Sequence, residues 1–221
     1  MKYAHVSTAI DDPSVLEVMA RLWETEGHQN DRAEGQAHGE DDYVTDLDPY
    51  RFPDVGFSIS PAQGDLLYSL VRFGRPDVIM EFATSLGFSA LYLTAALRDN
   101  GRGHLYSSEL IESKAWHANE NLSAAGLADY ATILIGDARQ TLASTGQTID
   151  LLLLDGWPTE PGAPSLAFEV LQRVESSLRP GAIIVNDNGE PDYLTHVRAV
   201  DSGYSSFHLP WNSGTEITMR I

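Results

Sequence analysis

Cysteine is absent from the 221 residues. That excludes disulfides and thiolate metal sites, and it leaves no thiol usage from which to read a compartment. Basic residues are scarce: 14 Lys and Arg stand against 32 Asp and Glu, for a net charge of −18. A nucleic-acid backbone or an anionic membrane surface is therefore not the expected partner. No apolar run approaches the roughly 18 residues that span a bilayer. The first fifteen residues, MKYAHVSTAIDDPSV, have no apolar core of signal-peptide length. A soluble cytoplasmic protein is expected, with no membrane and no nucleic acid among its partners. Repeats and low-complexity tracts are also missing.

What is present points to a globular chain. Apolar residues make up 43% and charged residues 21%, enough for a full core. Residues 1–56 differ in texture from the rest. DPSVLEVMARLWETE has an amphipathic helical pattern, with Asp12 as N-cap and Pro13 at the first helical position. The polar, acidic stretch that follows reads as an irregular segment that covers a pocket. Residues 57–221 form the main domain.

From Ser58 onward, strand and helix alternate. Ser60 caps a helix that begins at Pro61 and ends at Gly74. Strands are expected in PDVIMEFA, GHLYSSEL, ATILIGDA, IDLLLLDG and AIIVNDN, with helices between them. The last of these helices is expected to stop at Pro180–Gly181. Two further strands, YSSFHLP and TEITMRI, follow with no helix between them. The pattern predicts an α/β, Rossmann-like fold: a mostly parallel sheet flanked by helices, with an antiparallel C-terminal edge. DLLLLD and AIIV lack polar alternation, as strands buried on both faces do.

In such a sheet, ligands bind at the carboxyl ends of the strands. Those ends carry Glu81, Glu109, Asp137, Asp155, and Asp187 with Asn188. The first strand-to-helix turn, EFATSLGFS, contains Gly87, where backbone can approach an anionic group. Glu109 follows at about the 20-residue spacing of a ribose-binding acid. A dinucleotide would call for G-x-G-x-x-G, whose early glycines are here alanine and threonine. A single glycine suits a smaller anion, such as the carboxylate of S-adenosyl-L-methionine. Asp155, Asp187 and Asn188 offer hard oxygen ligands suited to Mg²⁺, Ca²⁺ or Mn²⁺; otherwise Asp155 caps the next helix and Asp187–Asn188 form a turn.

Taken in order, SISPAQGDLL, VIMEFATSLGFSALYLTAAL, LYSSEL, GDARQTL, IDLLLLDGW and RPGAIIVNDN resemble the class I S-adenosylmethionine-dependent O-methyltransferases. The likeness is to the small catechol and caffeoyl-CoA type, over about residues 57–190. The resemblance implies methyl transfer from S-adenosyl-L-methionine to a small hydroxylated acceptor, catechol-like or phenolic, with a divalent cation, and a homodimer. It places Ser58 and Ile59 near the methionine end of the cofactor. Glu81, Ala83, Gly87 and Ser89 would form the methionine-side loop, Glu109 would bind the ribose, and Asp137 and Ala138 would border the adenine. Asp155, Asp187 and Asn188 match the metal ligands, with Asp155 the catalytic residue; Asp155 and Trp157 would also bind the cofactor, Trp157 as a wall of the pocket. The sequence departs from the family at two points. Ala83 replaces a loop glycine, and Pro158 replaces a lysine that helps deprotonate the acceptor. The loss of that lysine keeps two alternatives open: a metal-independent methyltransferase on another acceptor, and a non-catalytic S-adenosylmethionine-binding protein. Glu160, Glu190 and Asp192 are nearby candidates for another base. Trp211 and His208 are expected to be structural.

Overall fold

The computed structural model describes residues 3–34, 48–211 and 214–221. Seven strands form one sheet: β1 (Val78–Phe82), β2 (His104–Glu109), β3 (Ala131–Ile135), β4 (Ile149–Leu154), β5 (Leu178–Asn186), β6 (Tyr204–Leu209) and β7 (Thr215–Arg220). Their spatial order is β3-β2-β1-β4-β5-β7-β6. β1 to β5 pair in parallel, whereas β7 runs antiparallel to both β5 and β6. The expected fold class is the one observed.

The helices are α1 (Pro13–Glu34), α2 (Pro61–Gly74), α3 (Phe88–Asn100), α4 (Glu112–Ala124), α5 (Ala138–Thr141), α6 (Leu166–Val174) and α7 (Pro191–Val197). Successive side chains of a strand point to opposite faces, and the leucine run of β4 shows the consequence. Leu151 and Leu153 join a core with α1, α2, α3 and α4, and Leu152 and Leu154 join a second core with α6 and α7. Both faces of the strand are covered from Leu151 to Leu154, and those four positions are all apolar.

Local signals set the helix ends. Ser60 and Gln63 form a capping box at α2, which satisfies two of the amides that a helix start leaves orphaned. Asp12 accepts from Ser14 N at 2.9 Å at the start of α1. The first helix runs further than its sequence pattern suggests, to Glu34. The remainder of the acidic stretch, residues 35–47, lies outside the described residues.

Two expectations need correction. Pro180 and Gly181 do not stop a helix. α6 ends at Val174, a short 3₁₀ turn spans Glu175–Ser177, and both residues lie inside β5. The β4–β5 register shifts there, between the Ile149 and Leu151 pairings, and Gly181 has φ 78°. A local bulge thus accommodates the proline. The second correction is α7, which the sequence reading does not include, although Pro191 occupies its first turn and Asp192 lies in it, the arrangement favoured at helix starts. No helix among the described residues is long and apolar enough to cross a membrane.

α2 and α3 approach closely because Gly64 has no side chain. A Cβ there would stand 2.2 Å from Tyr92 Cε2, and Tyr92 is fully buried. Gly64→Ala is expected to destabilise the fold by about 1–3 kcal/mol through overpacking, less the roughly 1 kcal/mol that alanine gains in a helix. Thermal unfolding checks this. A melting temperature equal to or above that of the parent would show that Tyr92 moves aside freely.

Candidate functional site

The rim of the sheet is assembled by hydrogen bonds that continue past the strands. Asp187 N donates to Leu154 O at 2.9 Å, Asp155 N to Phe82 O at 3.4 Å, and Gly136 N to Glu109 O at 2.8 Å. The strand ends are thereby aligned, and the side chains of Glu109, Asp137 and Asp155 line one cleft.

The β1–α3 loop turns tightly above β1. Ala83 and Ser85 have φ of 72° and 50°, in the left-handed region, which costs an L-residue roughly 1–2 kcal/mol. The loop is held by Ser108 O, which accepts from the amides of Ala83 and Thr84 at 3.1 Å each. Gly87 caps α3 with φ 92°. A Cβ on it would meet Ala118 of α4 at 3.3 Å, so its small size serves the loop–helix packing.

Beneath this loop lies Glu81, fully buried. It accepts from Ser89 Oγ at 2.5 Å and from the Ser107 hydroxyl. Burial pushes its pKa up to about 7 against those hydrogen bonds, and the charge of Glu109 raises it further. Glu109 is 6% exposed. Its Oε2 accepts from Ser85 N and its Oε1 from Ile111 N, both at 2.8 Å. Burial raises its pKa, opposed by those amides and by the Lys114 ammonium. Asp137 caps α5 by accepting from Arg139 N at 2.9 Å and is ion-paired to Arg139. That pairing holds its carboxyl below the usual range despite partial burial. Arg139 also pairs with Glu169 at 2.7 Å.

A cavity of about 160 Å³ runs along this rim. Of the expected cofactor residues, Ala83, Glu109, Asp137, Ala138, Asp155 and Trp157 line it. Others serve the framework: Ile59 packs in the core and Ser89 donates to Glu81. Glu81, Gly87 and Ser58 also stand outside the lining. Trp157 packs against Phe57, with ring centroids 5.0 Å apart, and against Phe52 at 5.7 Å. Pro49 and Phe57 reach the cavity wall, so part of the N-terminal segment borders it.

At the other end the carboxylates crowd together. Asp155 is pushed far above the ordinary aspartate value, first by burial, then by the charges of Asp187, Glu81 and Glu190, with a hydrogen bond from Asn188 opposing. Asp187 is raised by burial and by Glu190, against hydrogen bonds from Gln63 and Thr215. Glu190 is also raised by burial, although Asn186 Nδ2 donates to it at 2.6 Å. Asp155, Asp187 and Asn188 are thus neighbours, as expected for a ligand set. Two carboxylates and an amide oxygen are chemically apt for a hard dication, and like-charge crowding is what a cation would relieve. Among the described residues no cluster of three or more His, Cys, Asp or Glu side chains has metal-binding geometry. The expected set contains only two such residues.

Three contributors were not read from the sequence: Gln63, Lys114 and Phe57. Gln63 was visible as half of a capping box, but its reach to Asp187 spans 124 positions. Lys114 follows Glu109 by five residues, and nothing local signals its burial. His208 and Trp211 lie on the β6–β7 hairpin. His208 Nδ1 is 3.7 Å from the buried carboxylate of Glu216, which also pairs with Arg198.

Residues 80–189 match the sequence model of a family described as a methyltransferase domain. The chain is 28% identical over 173 residues to catechol O-methyltransferase of Mus musculus, covering 74% of this chain and 62% of that protein. It is also 28% identical over 145 residues to the enzyme of the same name from Sus scrofa, covering 62% of this chain and 75% of that protein. Among solved structures, an O-methyltransferase from Bacillus cereus in complex with SAH superposes with a TM-score of 0.61. Its identity is 18%, with 93% of this chain and 91% of that one covered. The structural likeness speaks to the fold, and the sequence matches speak to the family. Residues 80–189 are therefore a methyltransferase domain, and the resemblance to the O-methyltransferases holds. The chain spans 62% of the length of the mouse protein.

Glu81 gives a stability test. Its folded pKa of about 7 exceeds the ordinary value of 4.5, so between those limits the folded state holds a proton that the unfolded state has lost. Stability contributed here is present at low pH and is lost as pH rises through that window. Glu81→Gln keeps the hydroxyl contacts without the charge. Relative to the parent, its unfolding free energy in urea should rise by up to about 3 kcal/mol between pH 5 and pH 8. A pH-independent difference would show that Glu81 stays ionised throughout.

Proposed function

We propose that the protein is an S-adenosyl-L-methionine-dependent O-methyltransferase acting on a small hydroxylated acceptor, catechol-like or phenolic, with a divalent cation. The observation that carries this reading is the continuity of the site. One cavity leads from Glu109, whose two oxygens are fixed by amides, to Asp155, whose carboxylate is crowded by its neighbour Asp187.

The bound cofactor supplies an electrophilic methyl group on a sulfonium. Glu109 accepts hydrogen bonds from the ribose hydroxyls, which its fixed carboxylate can do without reorganising. Ala83 and the backbone beside it let the cofactor approach β1, and Ala138 borders the base. Trp157 and Phe57 exclude water above the reacting end. Asp155, Asp187 and Asn188 would hold the cation, which supplies charge that lowers the pKa of an acceptor hydroxyl. That contribution matters here because Pro158 stands where the resembling family has a lysine, and proline accepts no proton. The protein's part is then to align acceptor oxygen and methyl group. Residues 48–57 and the loop after Trp157 would shape the acceptor side, with the N-terminal segment as a pocket cover.

Two measurements test this. Glu109→Ala should weaken S-adenosylmethionine binding by about 10- to 150-fold, the value of one charged hydrogen bond at 1.5–3 kcal/mol; unchanged calorimetric affinity in the folded variant would remove the ribose assignment. Methyl transfer to a catechol should stop in EDTA and return with Mg²⁺ or Mn²⁺. Asp155→Ala should abolish turnover with cofactor affinity largely kept. Full activity in excess chelator would favour the metal-independent reading that Pro158 suggests. Cofactor binding without transfer to any of a broad acceptor panel would favour a binding protein.

A further inference from the structure

The chain contains two lysines against twelve arginines. One of them, Lys114, is only 4% exposed. It occupies the third position of α4, in the first turn, where the helix dipole disfavours positive charge. Burying an ammonium there is costly unless something compensates it. Features of the cavity contribute to that compensation. Lys114 Nζ lies 5.1 Å from the centroid of the Phe57 ring, within cation–π range. Its charge also acts on Glu109, and Lys114, Glu109, Phe57 and Ser85 line the same cavity. A chain of contacts closes the group: Phe57 N donates to Ser85 Oγ at 3.1 Å, and Ser85 N donates to Glu109 Oε2 at 2.8 Å.

We propose that Lys114 is a positioning residue of the nucleoside end of the site, the counter-ion that fixes Glu109 as a hydrogen-bond acceptor and ties Phe57 to that end of the cavity. The inference rests on the reading of Glu109 as the ribose acceptor. Each Glu109 oxygen already accepts one amide and keeps a second acceptor position for a ribose hydroxyl. A proton on Glu109 would turn one oxygen into a donor and spoil that match. Several groups face this carboxylate. From the β1 side come Glu81 and the Ser85 amide, from the β2–α4 turn the amides of Leu110 and Ile111, and from α4 Lys114. From the end of β3, across the cavity, comes Asp137, itself paired with Arg139. Burial and Glu81 favour the proton, whereas the amides and Lys114 oppose it. Lys114 is the cation among these groups that acts directly on Glu109.

The test is calorimetric binding of S-adenosylhomocysteine between pH 5.5 and 8.5 to the parent, Lys114→Met, Lys114→Gln and Lys114→Arg. The parent should bind with nearly constant affinity above neutrality and weaken toward acid. In Lys114→Met that acidic fall should begin at higher pH, so that the loss relative to the parent grows to about ten-fold or more near pH 6. Lys114→Gln, a second neutral variant with a polar end, should behave alike if the methionine variant does not fold. Lys114→Arg should restore the parental profile. In a Glu109→Gln background, removing the lysine should no longer change the pH dependence. Neutral variants whose profiles run parallel to the parent overturn the inference while leaving the ribose assignment intact. A parent that binds no S-adenosylhomocysteine at any pH overturns the cofactor reading and this inference with it.

Discussion

Carboxylates that converge in a buried rim are the constraint on which this structure depends. The topology of a parallel sheet brings the ends of β1, β2, β4 and β5 together, and each end carries an acid. Ionised carboxylates removed from water must be matched by donors or else take up protons. The chain meets this demand residue by residue: hydroxyls of Ser89 and Ser107 for Glu81, amides for Glu109, Asn188 for Asp155, and Asn186 for Glu190. Gln63 shows how closely fold and site are joined. Its carbonyl accepts from Ser60 N at 2.8 Å to cap α2, and its amide donates to Asp187 and to Thr215 at the start of β7. One side chain ties a helix start, the rim and the antiparallel edge together.

The compensation is uneven along the cavity, and the unevenness has a direction. At the Glu109 end, backbone amides and an ammonium oppose burial. At the Asp155 end, three like charges add to burial and one amide opposes it. The first arrangement suits a neutral ligand rich in hydroxyls. The second accumulates negative charge and suits a cation, or a ligand that brings one. The cavity and the carboxylates that crowd Asp155 at its edge therefore present two chemically distinct ends, which suits the proposed transfer between a nucleoside-bearing donor and a separate acceptor.

Much of this is legible in the sequence, for physical reasons. Strand and helix periods differ, so the βα alternation reads directly. A strand covered on both faces shows no polar alternation in its middle, and the unbroken apolar run Leu151–Leu154 marks β4 by that property. Once a parallel sheet is inferred, the rule that ligands sit at strand ends selects Glu109, Asp155 and Asp187 without further information. What stays hidden depends on tertiary contact. Pro180 and Gly181 carry a helix-stop signal, yet β5 absorbs them in a bulge because β4 is available to pair on either side of it. Gln63 and Lys114 look like ordinary surface residues of a first helical turn. Their burial follows from what packs above them, and local sequence does not encode that. Gly87 is legible as a glycine that the loop requires, but the neighbour requiring it, Ala118, lies on a different helix.

The aromatic contacts over the cavity extend the same logic to the N-terminal segment. Phe52 lies in the N-terminal segment, Phe57 is the first residue of the main domain, and Trp157 follows Asp155 by two residues. Their rings nonetheless lie within 5.0–5.8 Å of one another. Aromatic pairs at such separations contribute roughly 0.5–1.5 kcal/mol each beyond area burial, enough to order a short segment whose backbone makes few regular hydrogen bonds. Phe57 belongs to this cluster and also faces Lys114, while its own amide is bound to the β1–α3 loop. The segment that ends at Phe57 is thus fastened to both ends of the cavity: through Trp157 to the strand end that bears Asp155, and through Phe57 to the group around Glu109. A change that loosened the segment would be felt first as a change in solvent access between Glu109 and Asp155, the stretch of cavity that the aromatic rings border.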